Sequence, residues 1–150
     1  ASDIRKLLNE HHISVEAFGT GHAKSFEDFV GEIRTGRSCL LLDASKHKCL
    51  VRAVSVVLLR IALQTEHGPK YLIATSETFP DGRVREGVYQ LPGAKKAPHE
   101  CTWETADRIC KDLCKVLDCK VTIDFRNSSY VEQSEDSPSY PGIRTVYRKE

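Results

Sequence analysis

Between Leu91 and Val116 three charged side chains, Glu100, Arg108 and Asp112, stand at spacings that suggest a site for phosphate and metal. The chemistry follows from the residue types. A hard divalent cation needs oxygen donors, which Glu100 and Asp112 could supply. A guanidinium such as Arg108 recognises anionic oxygens through paired, charge-assisted hydrogen bonds. The plainer alternative is a solvated helix face, on which Glu104 with Arg108 and Asp107 with Lys111 form four-residue pairs worth roughly a few tenths of a kcal/mol each.

The elements around these residues must position them. The stretch reads as the end of a strand, a Pro/Gly loop, and an amphipathic helix from about Thr102 to Leu117, with Thr102 as N-cap. Upstream, residues 2–12 form a helix whose stripe is Ile4, Leu7 and Leu8. Gly19-Thr20-Gly21 is a connector. Ser25 opens a second helix with Asp28 as its capping-box partner, Phe26, Phe29, Val30 and Ile33 on the buried face, and Gly36 at its end. The pattern then turns to β. Cys39–Asp43 is a short strand, Ala44 to Lys48 a turn, and Val51 to Leu63 a central strand apolar on both faces. Gly68-Pro69 breaks that run. Tyr71 to Ser76 and Val84 to Leu91 form a hairpin about a Pro80-Asp81-Gly82 turn. After the long helix, Val121, Ile123 and Phe125 alternate with polar residues as a half-buried strand. Asn127 to Gly142, Ser/Pro-rich and acidic, is a mobile loop, and Ile143 to Tyr147 is a last strand. This order indicates a mixed sheet with helices packed on it, an α/β class.

Composition sets the bounds. A chain of 150 residues, 40% hydrophobic and 29% charged, fits one soluble domain with a real core. The net charge of +1 argues against nucleic-acid binding through bulk charge. No run reaches the ~18 apolar residues of a membrane span. The absence of Met fits either removal of an initiator or a piece of a longer protein. Six cysteines, at 39, 49, 101, 110, 114 and 119, are too irregular for a disulfide framework. Cys110, Cys114 and Cys119, completed by His99 or Cys101, could seed a zinc site, but the paired short spacing of zinc sites is missing and reduced thiols filling core space is the better reading. Reduced thiols favour the cytosol, hence a cytoplasmic protein.

In register and without a gap, the central stretch resembles the signature box of the Nudix hydrolases. That box is Gly, five residues, Glu, seven residues, Arg-Glu, an aliphatic, any residue, Glu-Glu, any residue, Gly and an aliphatic, usually led in by Leu-Pro-Gly. Here Leu91-Pro92-Gly93 is the lead-in and Ala94 replaces the box Gly. Glu100, Arg108, Asp112 and Val116 fall in register, with Cys110 in the aliphatic place. Three positions depart: Ile109 and Leu113 replace glutamates, and Lys115 replaces the closing Gly. The resemblance implies a Nudix-like α/β/α sandwich over residues 50–150, shortened at its C-terminus, preceded by two N-terminal helices in a 1–49 extension packed on the same domain.

The family's glutamates hold the divalent cations, Mg or Mn, that activate water against a diphosphate. Here only Glu100 and Asp112 remain from that set, and positions 109 and 113 are neighbours on one helix face. That face continues into Ala106, Cys110, Val116 and Leu117 as an apolar stripe. Loss of two metal carboxylates cripples metal-assisted hydrolysis. What is left is a ligand surface: Gly93, Lys95 and Lys96 on the loop, Arg52 and Arg85 on neighbouring strands, and Arg108, whose family role is to brace helix to loop. Tyr89 or Trp103 could stack on a base, although a lone Trp at a helix start is more often a core anchor. The expectation is a catalytically impaired module that binds a nucleotide-derived small molecule or a protein partner. The alternative is an active hydrolase whose metal shell is rebuilt from Glu100, Asp112 and distal carboxylates such as Glu132, Glu135 or Asp136. A third reading is an interaction module in which the box is a folding relic.

Overall fold

A computed structural model describes residues 2–45, 48–78 and 82–150. The chain opens with helix α1, Ser2–Glu10, which buries Leu8. Helix α2, Phe26–Arg34, begins at the expected Ser25 cap. Ser25 Oγ accepts from the Asp28 N–H at 3.0 Å, and the Asp28 carboxylate accepts from the Ser25 N–H at 3.1 Å, so two orphan donors are satisfied reciprocally. Thr35 closes the helix and Gly36 follows with φ +69°, a conformation that only glycine adopts without strain.

Nine strands lie in the described residues: β1 Cys39–Asp43, β2 Cys49–Leu58, β3 Ala62–Thr65, β4 Gly68–Tyr71, β5 Ala74–Thr78, β6 Val84–Gln90, β7 Gly93–Lys95, β8 Val131–Asp136 and β9 Arg144–Lys149. Helix α3, Thr102–Leu117, separates β7 from β8. The main sheet has the order β1-β2-β9-β8, with β7 also paired to β2. It is mixed: β2 and β9 run parallel, with Val51 opposite Arg144, while β1 with β2 and β8 with β9 are antiparallel. Among the described residues, three helices and a mixed sheet make an α/β fold. No described helix is long and apolar enough to cross a membrane.

Several expected elements are corrected. The apolar run Val51 to Leu63 is not one strand. It leaves the sheet after Leu58, and β3 restarts in a separate hairpin with β4. Gly68-Pro69 therefore opens β4, paired with Thr65 and Gln64, instead of ending a strand. The N-cap of α3 is Cys101, one residue before Thr102, and its N–H donates to the Glu104 carboxylate at 2.7 Å. Val121 to Phe125 has the expected alternation but no strand forms there, and Phe125 is exposed. The polar segment expected as a loop contains β8, held by full pairing to β9. Trp103 is 56% exposed and anchors no core, and Val116 and Leu117, assigned to the apolar stripe, are exposed as well. The β5–β6 hairpin forms as expected, with Thr78 opposite Val84; Pro80 and Asp81 of its turn lie outside the described residues.

Two units divide the chain. The first comprises Ala1–Val56, Lys95–His99 and Ser129–Glu150, and the second Val57–Ala94 and Glu100–Ser128. The core of the first is Leu8, Ile13, Phe18, Phe29, Leu50, Tyr140 and Ile143. Its rings form a trio with Tyr140 4.9 Å from Phe29 and 5.4 Å from Phe18, within the range of favourable aromatic packing. Residues before 50 thus share a core with residues near the C-terminus, and β1 pairs directly with β2. The second unit has a smaller core, Val57, Ala106 and Ile109, flanked by Leu59, Ala94, Leu113 and Ile123.

Candidate functional site

In the second unit, α3 presents two faces that follow from its sequence period. Ile109, 7% exposed, packs inward with Ala106 and Val57, and Leu113 lies against the same cluster. The charged side carries Arg108, Lys111, Asp112 and Lys115. Arg108 reaches back across two turns to the loop. Its Nε donates to Glu100 Oε1 at 2.7 Å and its Nη2 to Glu100 Oε2 at 2.8 Å. Thr105 Oγ1, fully buried, donates to the same Oε2 at 2.8 Å. A bidentate fork is the strongest ion-pair geometry available to a carboxylate. Hydrogen bonding to Glu100 raises the Arg108 pKa further, outweighing the opposing desolvation, and the Glu100 and Asp112 charges add to it. Arg108 therefore braces helix to loop.

Asp112 is differently placed. It is exposed and pairs with Lys115 at 3.1 Å, and Asp107 pairs with Lys111 at 2.6 Å. Gly93 opens β7, where a Cβ would come within 2.5 Å of Leu58 Cδ2 and 2.7 Å of the Val57 carbonyl oxygen. Only glycine lets the loop approach β2 this closely. The loop is pinned on the same side by Leu59 N–H donating to the Pro92 carbonyl at 2.8 Å. Arg85 is on β6, exposed and opposite Glu77.

The first unit holds a second charged cluster that sequence reasoning did not find. Its centre is Glu32 on α2, 8% exposed. Arg52, 2% exposed on β2, donates through Nη2 to Glu32 Oε2. Lys95 donates to the same oxygen at 2.9 Å, and Lys24 to Oε1 at 3.0 Å. The guanidinium also lies 4.9 Å from the centre of the Tyr140 ring. Burial alone would raise the Glu32 carboxyl; the Lys95 and Arg52 charges and hydrogen bonds outweigh it and hold the pKa at about 2. Burial lowers Lys95, opposed by its pairing with Glu32. Burial, and then the Glu32 charge, push the Tyr140 phenol well above its ordinary range. The one available signal was Arg52 itself, because a cation within an apolar strand implies a buried counter-charge. Nothing local pointed to Glu32, Lys24 or Tyr140 as its partners.

No protein-family model, curated protein or solved structure matches the chain.

The residues singled out from the sequence thus fall in both units. Glu100 and Arg108 are brought together, with each other as partners. Arg52 and Lys95 are brought together by Glu32, and Lys96 is tied through its backbone N–H to the Ser55 carbonyl at 2.9 Å. Asp112 and Arg85 are on exposed surface. Among the described residues no group of three or more His, Cys, Asp or Glu side chains is gathered for a metal ion, the Cys110, Cys114 and Cys119 set included. A carboxylate bonded by both oxygens to a guanidinium has little remaining capacity for a cation, so Glu100 acts here as a brace.

Proposed function

We propose that this chain is a Nudix-like module that has given up hydrolysis and serves as a protein-interaction domain. The reading rests above all on Ile109 and Leu113. In the box these positions would carry metal-binding carboxylates; here both side chains belong to the apolar cluster around Val57 and Ala106. Without those ligands and with Glu100 bound to Arg108, the means of generating a metal-bound nucleophile is lost.

Of the two binding roles, a protein partner is favoured over a nucleotide. Of the cations offered for phosphate by the sequence, Arg52 and Lys95 are engaged with Glu32, and Arg52 is inaccessible. The second unit meanwhile exposes large apolar and aromatic side chains, including Trp103, Tyr89, Val116 and Phe125. Such residues are the kind enriched at interfaces.

The deciding experiment is a hydrolysis screen over ADP-ribose, dinucleotides and nucleoside triphosphates with Mg or Mn, run beside calorimetric titration of the same compounds. Background rates and flat titrations are expected. Substantial metal-dependent turnover would overturn the non-hydrolytic reading, and saturable binding of a nucleotide without turnover would replace the protein partner with a small ligand.

A further inference from the structure

Strand β8 ends the main sheet. Its neighbour on one side is β9, and the order β1-β2-β9-β8 places no described strand on the other. The pairing runs without a register shift from Val131 opposite Lys149 to Asp136 opposite Arg144. All six residues are exposed, and no described helix or loop covers the strand. In an antiparallel pair every second residue turns its N–H and C=O away from its partner, so half of the backbone polar groups of β8 point outward. Proteins commonly blunt such an edge with Pro, Lys or a bulge, and β8 has none of these.

The charge on this edge is one-sided. Glu132 pairs with Arg148 across the strands at 3.5 Å. Arg144, directly opposite Asp136, donates instead to Ser134 Oγ at 2.5 Å, and Lys149 donates to Gln133 Oε1 at 2.6 Å. Glu135 and Asp136 form no ion pair among the described residues. These acids also decide against a second copy of the chain as occupant. Full antiparallel pairing of two β8 strands sets Glu132 opposite Glu135, and a one-residue slip sets it opposite Asp136. Like charges directly opposite each other are destabilising.

We propose that the outer edge of β8 docks an extended, basic segment of a partner protein, which adds to the main sheet as its next strand. Backbone hydrogen bonds supply the attachment, and Lys or Arg side chains beside Glu132, Glu135 and Asp136 supply the selectivity. A segment running antiparallel to β8 meets Asp136, Glu135 and Glu132 with its residues k, k+1 and k+4. The proposal rests on the reading of the chain as an interaction domain and names the chemistry of one partner.

The probe is the end-blocked peptide Lys-Lys-Val-Thr-Lys-Val, titrated into the isotope-labelled chain at low ionic strength and followed by NMR amide exchange. Saturable slowing is expected within residues 131–136, by about tenfold or more. The same peptide with Glu in place of Lys should not bind. Nor should one N-methylated at every amide, which keeps the charge and removes the backbone donors. Glu135→Lys combined with Asp136→Lys should reverse the preference and admit the Glu peptide; both positions are exposed, so the fold should hold. Absence of slowing with the Lys peptide would overturn the proposal and leave the acids as a device that keeps copies apart. Equal binding of the N-methylated peptide would overturn it too, by reducing the site to charge attraction. So would protection of β8 in the free chain that vanishes on dilution, which would make a second copy the occupant. Turnover in the hydrolysis screen would remove the interaction-domain reading and leave docking measurable, whereas a blank screen without docking would remove this site alone.

Discussion

Glu32 shows how much one residue can determine. It is a buried carboxylate facing Arg52, Lys95 and Lys24, and removing its charge strands the Arg52 guanidinium, which cannot reach water. Breaking a buried pair from one side costs roughly 3–5 kcal/mol, so Glu32→Gln should lower the urea midpoint sharply, whereas replacing Lys24, which is partly solvated, should cost about 1 kcal/mol or less. The pH dependence has a definite sign. With the folded pKa at about 2 against an ordinary value of 4.5, the unfolded chain binds the proton first on acidification. The stabilisation is complete above 4.5 and lost as pH falls through about 2, a change on the order of 3 kcal/mol. Lys95 acts with the same sign at the alkaline end, because burial lowers it and raising the pH toward 10.5 relieves that cost. Denaturant titrations of wild type and Glu32→Gln at several pH values between 2 and 5 should converge at the acid end; a constant gap would mean that the charge of Glu32 is not what stabilises the fold.

At the scale of elements, glycines separate local propensity from tertiary fit. Gly31 is inside α2 with open space where a Cβ would stand, so Gly31→Ala should stabilise by about 0.5–1 kcal/mol. Gly93→Ala puts a methyl against Leu58 and the Val57 carbonyl and should cost about 1–3 kcal/mol. Thermal melts of the two variants should move in opposite directions. The box face of α3 gives a second contrast. Ile109→Glu buries a charge in the small core and should destabilise more than Leu113→Glu, whose side chain lies at the margin. A doubly substituted chain that stayed folded and bound Mg would support the proposed Nudix-like reading of this face. The same contrast explains what the sequence disclosed. Helices α1, α2 and α3 and strand β1 were legible because periodicity and caps are local signals. Strand β8, with Glu132, Gln133, Ser134, Glu135 and Asp136 all exposed, carries no apolar alternation and is specified by its partner β9. Val121 to Phe125 has the alternation and lacks the partner. A bracing role for Arg108 was implied by the family resemblance, but its partner was not legible, because spacing offered Glu104 as the pair and Glu100 as a metal ligand. The Glu32 cluster required knowing that residues 24, 32, 52 and 95 meet.

On the scale of the whole molecule, the two units differ in what holds each together. The first has a seven-residue buried cluster with three rings packed tilted and edge-on, and its strands β2 and β9 lie within the main sheet. The second relies on three buried residues, and its strands β3–β4 and β5–β6 form two-stranded hairpins with largely exposed faces. A hairpin that does not extend into a wider sheet is marginal by itself, and regions with few buried apolar contacts open at lower free energy than the core. Hydrogen exchange followed by mass spectrometry should therefore find amides of residues 51–56 and 144–149 protected longest. Those of 62–71, 74–78 and 84–90 should exchange earlier, and the gap should span about one order of magnitude in rate or more. Uniform protection would show that the hairpins are stabilised to the level of the main core. Early exchange confined to the hairpins would fit a module whose exposed aromatic residues become ordered on meeting a partner. In that case, adding the partner should slow exchange around Tyr89 and Trp103 while leaving β2 and β9 unchanged.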